Sequence, residues 1–375
     1  MAFIATNGQK CSGRRDSCAD LDHAAQADGR CAGVFNNERN PMSDANPDTV
    51  RLQNLSRAFI GSASLFAAID LKLFTAIAAG HNTVPAVAER AGISALNAER
   101  LLTMCGALGL IRWQDGCYVN AADTARFLVE GSSSYAGAWL LFNRPNWQNW
   151  GDLTQMLRRS EPPQVINNTY AAMTVEYARN YHRATASVGF GAGRRFAKRV
   201  DLGARARLMD IGGGSGAYSI VAAQTFPQLR AVVCDLPPVV VVTQEFIAEH
   251  GVADRVTTQA CDFTSDAFPA DCDVAVMASN LPQYSRAIIQ QVIRKAHAAL
   301  LPGGELHLIG EMLDDDRHGP VDAAIWGLNE VLGNSTGIAH TRADCVAYFQ
   351  RAGFRDIAID EFVPGILVRV SGTRG

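Results

Sequence analysis

Nine residues constrain this chain more than any others. The apolar run Leu208-Met209-Asp210-Ile211 ends in Gly212-Gly213-Gly214-Ser215-Gly216 and passes directly into a helical pattern. Bare glycine backbone adopts positive φ and lets a ligand approach the amides, so such a turn joins a strand to a helix in a β-α unit. The surrounding sequence agrees. Short apolar runs at 207–211, 230–235, 256–260, 274–278, 305–310, 354–360 and 365–370 alternate with helical patterns at 215–226, 238–250, 285–300 and 342–352. That alternation predicts a doubly wound α/β domain over 201–375, with the last two strands joined at Pro364-Gly365 as an edge hairpin.

The residues around the turn specify its ligand. Asp235 lies nineteen residues beyond Gly216 at the end of the next strand, where a carboxylate can accept both hydroxyls of a ribose. A dinucleotide pyrophosphate is a poor match, because the spacing is compressed from G-x-G-x-x-G and Asp210 would repel phosphate. An acid there favours a cationic ligand, such as the ammonium end of S-adenosylmethionine (SAM). The expected cofactor set is Asp210, Gly212, Gly214, Gly216, Asp235, Asp262, Phe263, Ser279 and Asn280. In it Asp262 meets the adenine amino group, Phe263 offers an aromatic face beside it, and Ser279-Asn280 meet the methionine carboxylate.

Composition bounds the rest. At 375 residues, 48% apolar and 19% charged, the chain has enough apolar residues for one large and one smaller folded unit, which excludes wholesale disorder. A formal charge of -3 gathers neither nucleic acid nor anionic lipid, and no apolar run approaches the roughly 20 residues that cross a bilayer. Nine cysteines without a C-x2-C pair read as free thiols in a reducing compartment, so a soluble, cytoplasmic protein is expected. Residues 1–45 are polar and without period, which predicts a disordered extension; Met42 reads as a natural start and the segment before it as dispensable. Cys11, Cys18, Cys31 and His23 match no zinc spacing, and no metal is expected.

Residues 46–125 carry apolar positions at helical spacing from Leu52 to Phe74, expected to be buried, then helices at 84–91 and 97–108 and a hairpin turned at Asp115-Gly116. This order spells a winged helix. Its second helix has only Glu99 and Arg100 as charges, so a scaffold or dimerisation role is favoured over DNA reading. Residues 126–200 are expected to be a helical linker whose aromatic side chains help line a pocket.

From about Thr49 to Val370 the chain resembles the SAM-dependent small-molecule O-methyltransferases of plant phenylpropanoid and bacterial antibiotic pathways. The resemblance is carried by Asp210 to Gly216, Asp235-Leu236-Pro237, Asp262-Phe263, Leu300 to Gly304, Glu311 and Arg351 to Phe354. It implies a Rossmann-like SAM-binding domain, a mainly helical winged-helix dimerisation domain, a homodimer and a small-molecule acceptor. It also implies cofactor contacts at Leu236 and at Tyr284, which stands for the family's Trp near adenine, and acceptor contacts at Phe142, Asn143, Arg144, Trp147, Tyr181, Trp326 and Asn329, with Arg144 suited to a carboxylate.

One departure stands out. Family members carry a histidine base in Leu-His-Asp-Trp-Ser; here the segment is Leu281-Pro282-Gln283-Tyr284-Ser285, and proline cannot accept a proton. Of the two acids that orient that histidine, Glu311 remains and the other falls near Ala339. His182 and His340 are the candidate replacements. The expected activity is methyl transfer to O or N, or to C, of a secondary-metabolite-type acceptor without the histidine. The alternatives are a SAM-bound hydroxylase or pericyclase, a silent partner subunit, and a ligand-responsive regulator.

Overall fold

The computed structural model describes residues 47–132, 134–142, 144–165 and 168–375. The expectation for residues 1–45 falls entirely outside them. The first described elements are α1 (Val50–Asp70), α2 (Leu73–Ala78), α3 (Val84–Ala91), α4 (Ala95–Ala107), β1 (Ile111–Gln114), β2 (Cys117–Asn120) and α5 (Ala122–Phe127). Thr83 and Ser94 cap α3 and α4 by accepting from Ala86 N and Asn97 N, as short hydroxyl side chains do at helix starts. Both Asp115 and Gly116 take positive φ, the two-residue turn that matches strand twist, and β1 pairs antiparallel with β2. Leu73, Phe74, Val87, Leu102 and Ile111 form a buried core under this hairpin.

The first half of α1 departs from expectation. Leu52, Leu55 and Phe59 are 54%, 58% and 60% exposed rather than buried. Helical spacing identifies an apolar face but not what covers it.

The linker is less helical than its sequence suggested. Between Leu128 and Thr174 the described chain forms only the short helices α6 (Gly137–Leu140), α7 (Trp147–Gly151), α8 (Leu153–Leu157) and α9 (Asn168–Ala171) with a 3-10 turn at Arg144–Asn146. Pro145, Pro162 and Pro163 interrupt the pattern, since proline lacks the donor that a helix interior needs. The one long element is α10 (Val175–Arg199), capped by Thr174.

A seven-stranded sheet follows: β3 (Arg207–Ile211), β4 (Arg230–Asp235), β5 (Val256–Ala260), β6 (Cys272–Ala278), β7 (Leu300–Gly310), β8 (Phe354–Val363) and β9 (Leu367–Arg374), in the order β5-β4-β3-β6-β7-β9-β8. The first five strands are parallel; β9 runs antiparallel between β7 and β8, the expected edge hairpin. The helices α11 (Ala217–Thr225), α12 (Pro237–Glu249), α13 (Arg286–Ala299), α14 (Val321–Asn329) and α15 (Arg342–Ala352) complete the domain. One buried apolar cluster, with Met209, Ile211 and Leu308, and another, with Leu208, Val233 and Val276, draw on alternate residues of the same strands. β7 starts earlier than expected, because Pro302-Gly303-Gly304 is absorbed where β6 and β7 shift register.

The order reverses between β3 and β6, which makes the carboxyl end of β3 the topological switch point. α10 is brought against that end. Gly193 lets it approach the start of α11 so closely that a Cβ there would lie 2.8 Å from the Ala217 carbonyl oxygen. Arg179 forks onto Glu245 of α12 at 2.7 Å, and Arg183 pairs with Glu249, one turn further along both helices. Such exposed pairs set register more than stability. Gly193→Val is expected to destabilise the fold by about 2–3 kcal/mol, because backbone rather than a movable side chain meets the new atoms. A urea midpoint within error of the native chain's would refute that packing.

Candidate active site

The site begins with two acids at the ends of neighbouring strands. Asp210 of β3 is buried beneath the glycine turn, where its Oδ2 accepts from Ser219 Oγ of α11 at 2.8 Å. Burial pushes its carboxyl up to about 7; the Ser219 hydrogen bond opposes that rise, and the nearby Asp235 adds to it. Asp235 of β4 accepts from Gly214 N and Leu236 N, each at 2.8 Å. Burial raises it to about 6 against the pull of those two amides.

The turn between them is held from both sides. Gly212, Gly214 and Gly216 all take positive φ. Thr243 Oγ1, from α12, donates to Gly214 O at 2.6 Å, while Asn280 Nδ2 donates to Gly212 O at 3.0 Å and to Ala278 O at 3.1 Å. A Cβ on Gly212 would lie 2.6 Å from Asn280 Nδ2 and 2.9 Å from Phe263 Cε1; one on Gly214 would lie 2.7 Å from His182 Cε1. Phe263 and Tyr284 meet edge to face with centroids 5.0 Å apart. Asp262 Oδ1 accepts from Thr264 N and Thr264 Oγ1, and Ser279 is an exposed residue at positive φ.

A sulfonium nucleoside suits this donor set. A buried carboxylate, Asp210, beside the half-buried Asp235 favours a positive ligand, hydroxyls can share Asp235, and the turn leaves no Cβ in the way. No cation stands among the causes that set either pKa.

The acceptor side gathers aromatic rings. Phe142 meets Tyr181 at 5.0 Å between centroids, Tyr181 meets His182 at 5.0 Å, and Trp139 stacks on Phe142 at 5.4 Å. His182 is thereby brought from α10 onto the glycine turn; burial lowers its pKa to about 4, so it is neutral at pH 7. Pro282 is buried in a 3-10 turn, Leu281–Gln283, which packs against α14 carrying the half-buried Trp326 and Asn329. Glu311 is half-buried at the end of β7, its carboxyl raised by burial, with its own amide opposing and Asp322 reinforcing the shift.

Three expectations are corrected here. His340 is fully buried, its Nε2 donating to the Tyr284 carbonyl at 2.9 Å and its Nδ1 accepting from the Tyr348 hydroxyl at 2.8 Å. With both nitrogens engaged it fixes Tyr284 and does not face an acceptor. Arg144 donates to Asp70 of α1 at 2.6 Å, so its charge is already matched. Trp147 packs edge-on against Phe59 and Phe66 of α1 rather than with Phe142 and Tyr181. Asn143 lies outside the described residues. Conversely, Ser219, Thr243, Tyr170 and Glu330 were not singled out from sequence. Ser219, in the first turn of the helix after the glycines, carried the only local signal.

A family model described as an O-methyltransferase domain matches residues 150–355, and one described as an O-methyltransferase dimerisation domain matches residues 53–131. The 3-hydroxy-5-methyl-1-naphthoate 3-O-methyltransferase of Streptomyces sahachiroi is 33% identical over 86% of this chain and 94% of its own length. The N,N-dimethyltransferase OxyT of Streptomyces rimosus is 28% identical over 81% and 90%. Among solved structures, the S-adenosylmethionine-dependent methyltransferase SibL superposes with a TM-score of 0.72 at 26% identity, covering 87% of this chain and 99% of that one.

Asp210 and Asp235 titrate higher in the fold than their ordinary value of 3.8, so the native state holds protons that the unfolded chain has lost. Apoprotein stability therefore falls as pH rises from about 4 through 7, whereas affinity for a cationic ligand rises over pH 5 to 8. Asp210→Asn should stabilise the apoprotein at pH 8 by roughly 1–2 kcal/mol and flatten the ligand's pH dependence. Thermal melts and calorimetry at pH 5, 6.5 and 8 measure both, and a variant that keeps the native pH dependence would refute the assignment.

Proposed function

This chain belongs to the O-methyltransferase family that pairs a dimerisation domain with a methyltransferase domain, and from that membership we propose a SAM-dependent transfer of methyl to oxygen or nitrogen of a small aromatic acceptor. Transfer to carbon is a less favoured outcome of the same arrangement. The observation that carries the reading is the pair of carboxylates, the buried Asp210 and the half-buried Asp235, on either side of a glycine turn at the switch point.

SAM when bound supplies a methyl carbon on a positively charged sulfur, already activated towards attack. The chain's residues do the rest. Asp235 and the Gly214 amide hold the ribose edge, Asp210 supplies negative potential beneath the turn, and Phe263 with Tyr284 bounds the base. Phe142, Tyr181 and His182 present an apolar wall that aligns a flat acceptor and excludes water, and alignment alone removes much of the barrier to such a displacement. Relatives named for transfer to oxygen and to nitrogen support a scaffold indifferent to the attacking atom. The uncovered apolar residues Leu55 and Phe59 fall in the dimerisation match, which supports a homodimer; the working compartment is the cytoplasm.

The test is incubation with methyl-labelled SAM and a panel of hydroxynaphthoates, phenols and aryl amines, read by mass spectrometry. A product heavier by one methyl is expected; a product altered without methyl gain would replace this reading with a non-methylating one. His182→Ala should lower kcat at least fivefold while cofactor Kd changes less than threefold. Unchanged turnover would remove His182 from the acceptor wall.

A further inference from the structure

We propose that Glu330 takes the proton from a phenolic acceptor, in place of the histidine that the family resemblance implies at the position of Pro282. The inference rests on the methyl-transfer reading above and names the residue that accepts the proton.

Glu330 directly follows α14 and is only 4% exposed. Its side chain and the backbone at the lost histidine's position converge on one bare spot. A Cβ built on Gly337 would lie 2.5 Å from Pro282 O, 2.6 Å from Glu330 Cγ and 2.7 Å from the Gln283 carbonyl carbon. Glu330 is therefore packed beside the 281–283 turn. Its orientation is fixed: Ser335 Oγ donates to Glu330 Oε2 at 2.5 Å, Ser335 N donates to Glu330 O at 3.1 Å, and Gly337 N donates to Ser335 Oγ at 3.0 Å.

The aromatic wall shares this space. Tyr170 and Tyr181 are joined by a hydrogen bond; their hydroxyls and that of Tyr284 are raised first by burial and further by the Glu330 charge. Asp235 raises Tyr181 and Tyr284 as well. A buried carboxylate repels an acidic acceptor, and Arg144, the side chain suited to one, is paired with Asp70. It would also hold an amine protonated and unable to attack. A neutral phenol suffers neither fate.

In the step, the phenol O–H bond breaks and its proton passes to Glu330. An electron pair on the phenol oxygen forms the new O–C bond, and the pair of the breaking C–S bond stays on sulfur as a neutral thioether. The proton later leaves to water. The hydroxyl grows more acidic as its oxygen gains the methyl, so a carboxylate suffices as base once that bond is forming.

The test titrates 4-nitrophenol by its visible absorbance on protein saturated with S-adenosylhomocysteine, for the native chain, Glu330→Gln and Glu330→Asp. A neighbouring carboxylate opposes ionisation of the probe, so the bound probe's pKa is expected to be at least one unit higher on the native chain than on Glu330→Gln, with Glu330→Asp between them. Loss of a merely structural contact would change affinity without this shift. Homocysteine-nucleoside affinity within threefold of native serves as the folding control, and the Asp variant carries the comparison if the Gln variant fails it. Equal pKa values with that nucleoside bound overturn Glu330 alone; a probe that does not bind the native chain at millimolar concentration overturns the phenol pocket. A native chain that does not bind the nucleoside overturns the methyltransferase reading itself.

Discussion

Two carboxylates beside a bare backbone turn are expensive to shield from water, and the catalytic domain is arranged around that expense. Asp210 is held by the hydroxyl and the amide of Ser219 and Asp235 by two amides, with no cation bound to either among the described residues. Burial without a counter-charge leaves the pair's electrostatic demand to be met by whatever binds. The same geometry explains why the turn is glycine: Asp210 lies so close beneath Gly213 that a Cβ there would sit 2.5 Å from its carboxyl carbon. Stability is given up at the spot where a cationic ligand restores it.

α10 links that spot to the rest of the chain. Its small residues admit the start of α11, its arginines bind the acids of α12, and its Tyr181-His182 pair closes over the turn. A single helix thereby carries acceptor wall and cofactor cradle in fixed register. Packing of this kind moves as a unit, so changes remote from the chemistry alter the gap between the two halves.

Much of the catalytic domain was legible in sequence because its signals are local. The parallel strands are short apolar runs bounded by turns, and the hairpin at Asp115-Gly116 needs only two residues that tolerate positive φ. The glycine turn and both acids are contiguous or one strand apart. What stayed hidden depends on distant pairing. His340 looked like a base until Tyr284 and Tyr348 were seen to occupy both ring nitrogens. Arg144 looked like a substrate anchor until Asp70, 74 positions earlier, was found beside it. The exposed start of α1 has the period of a buried helix, because the pattern is the same whether the cover comes from this chain or from a second copy. Glu330 has no motif at all; Gly337 and the 281–283 turn give it meaning only after folding.

Proline at position 282 shapes more than its own side chain. Pro282 opens a rigid 3-10 turn whose carbonyl presses towards Gly337, and His340 pins the carbonyl of Tyr284 two residues later. Glu311, at the end of β7, has its carboxyl raised first by burial and further by Asp322. The carboxylate proposed above as proton acceptor meets the same turn from another element, with Glu330 Cγ and Pro282 O both within 2.6 Å of the spot where a Cβ on Gly337 would lie.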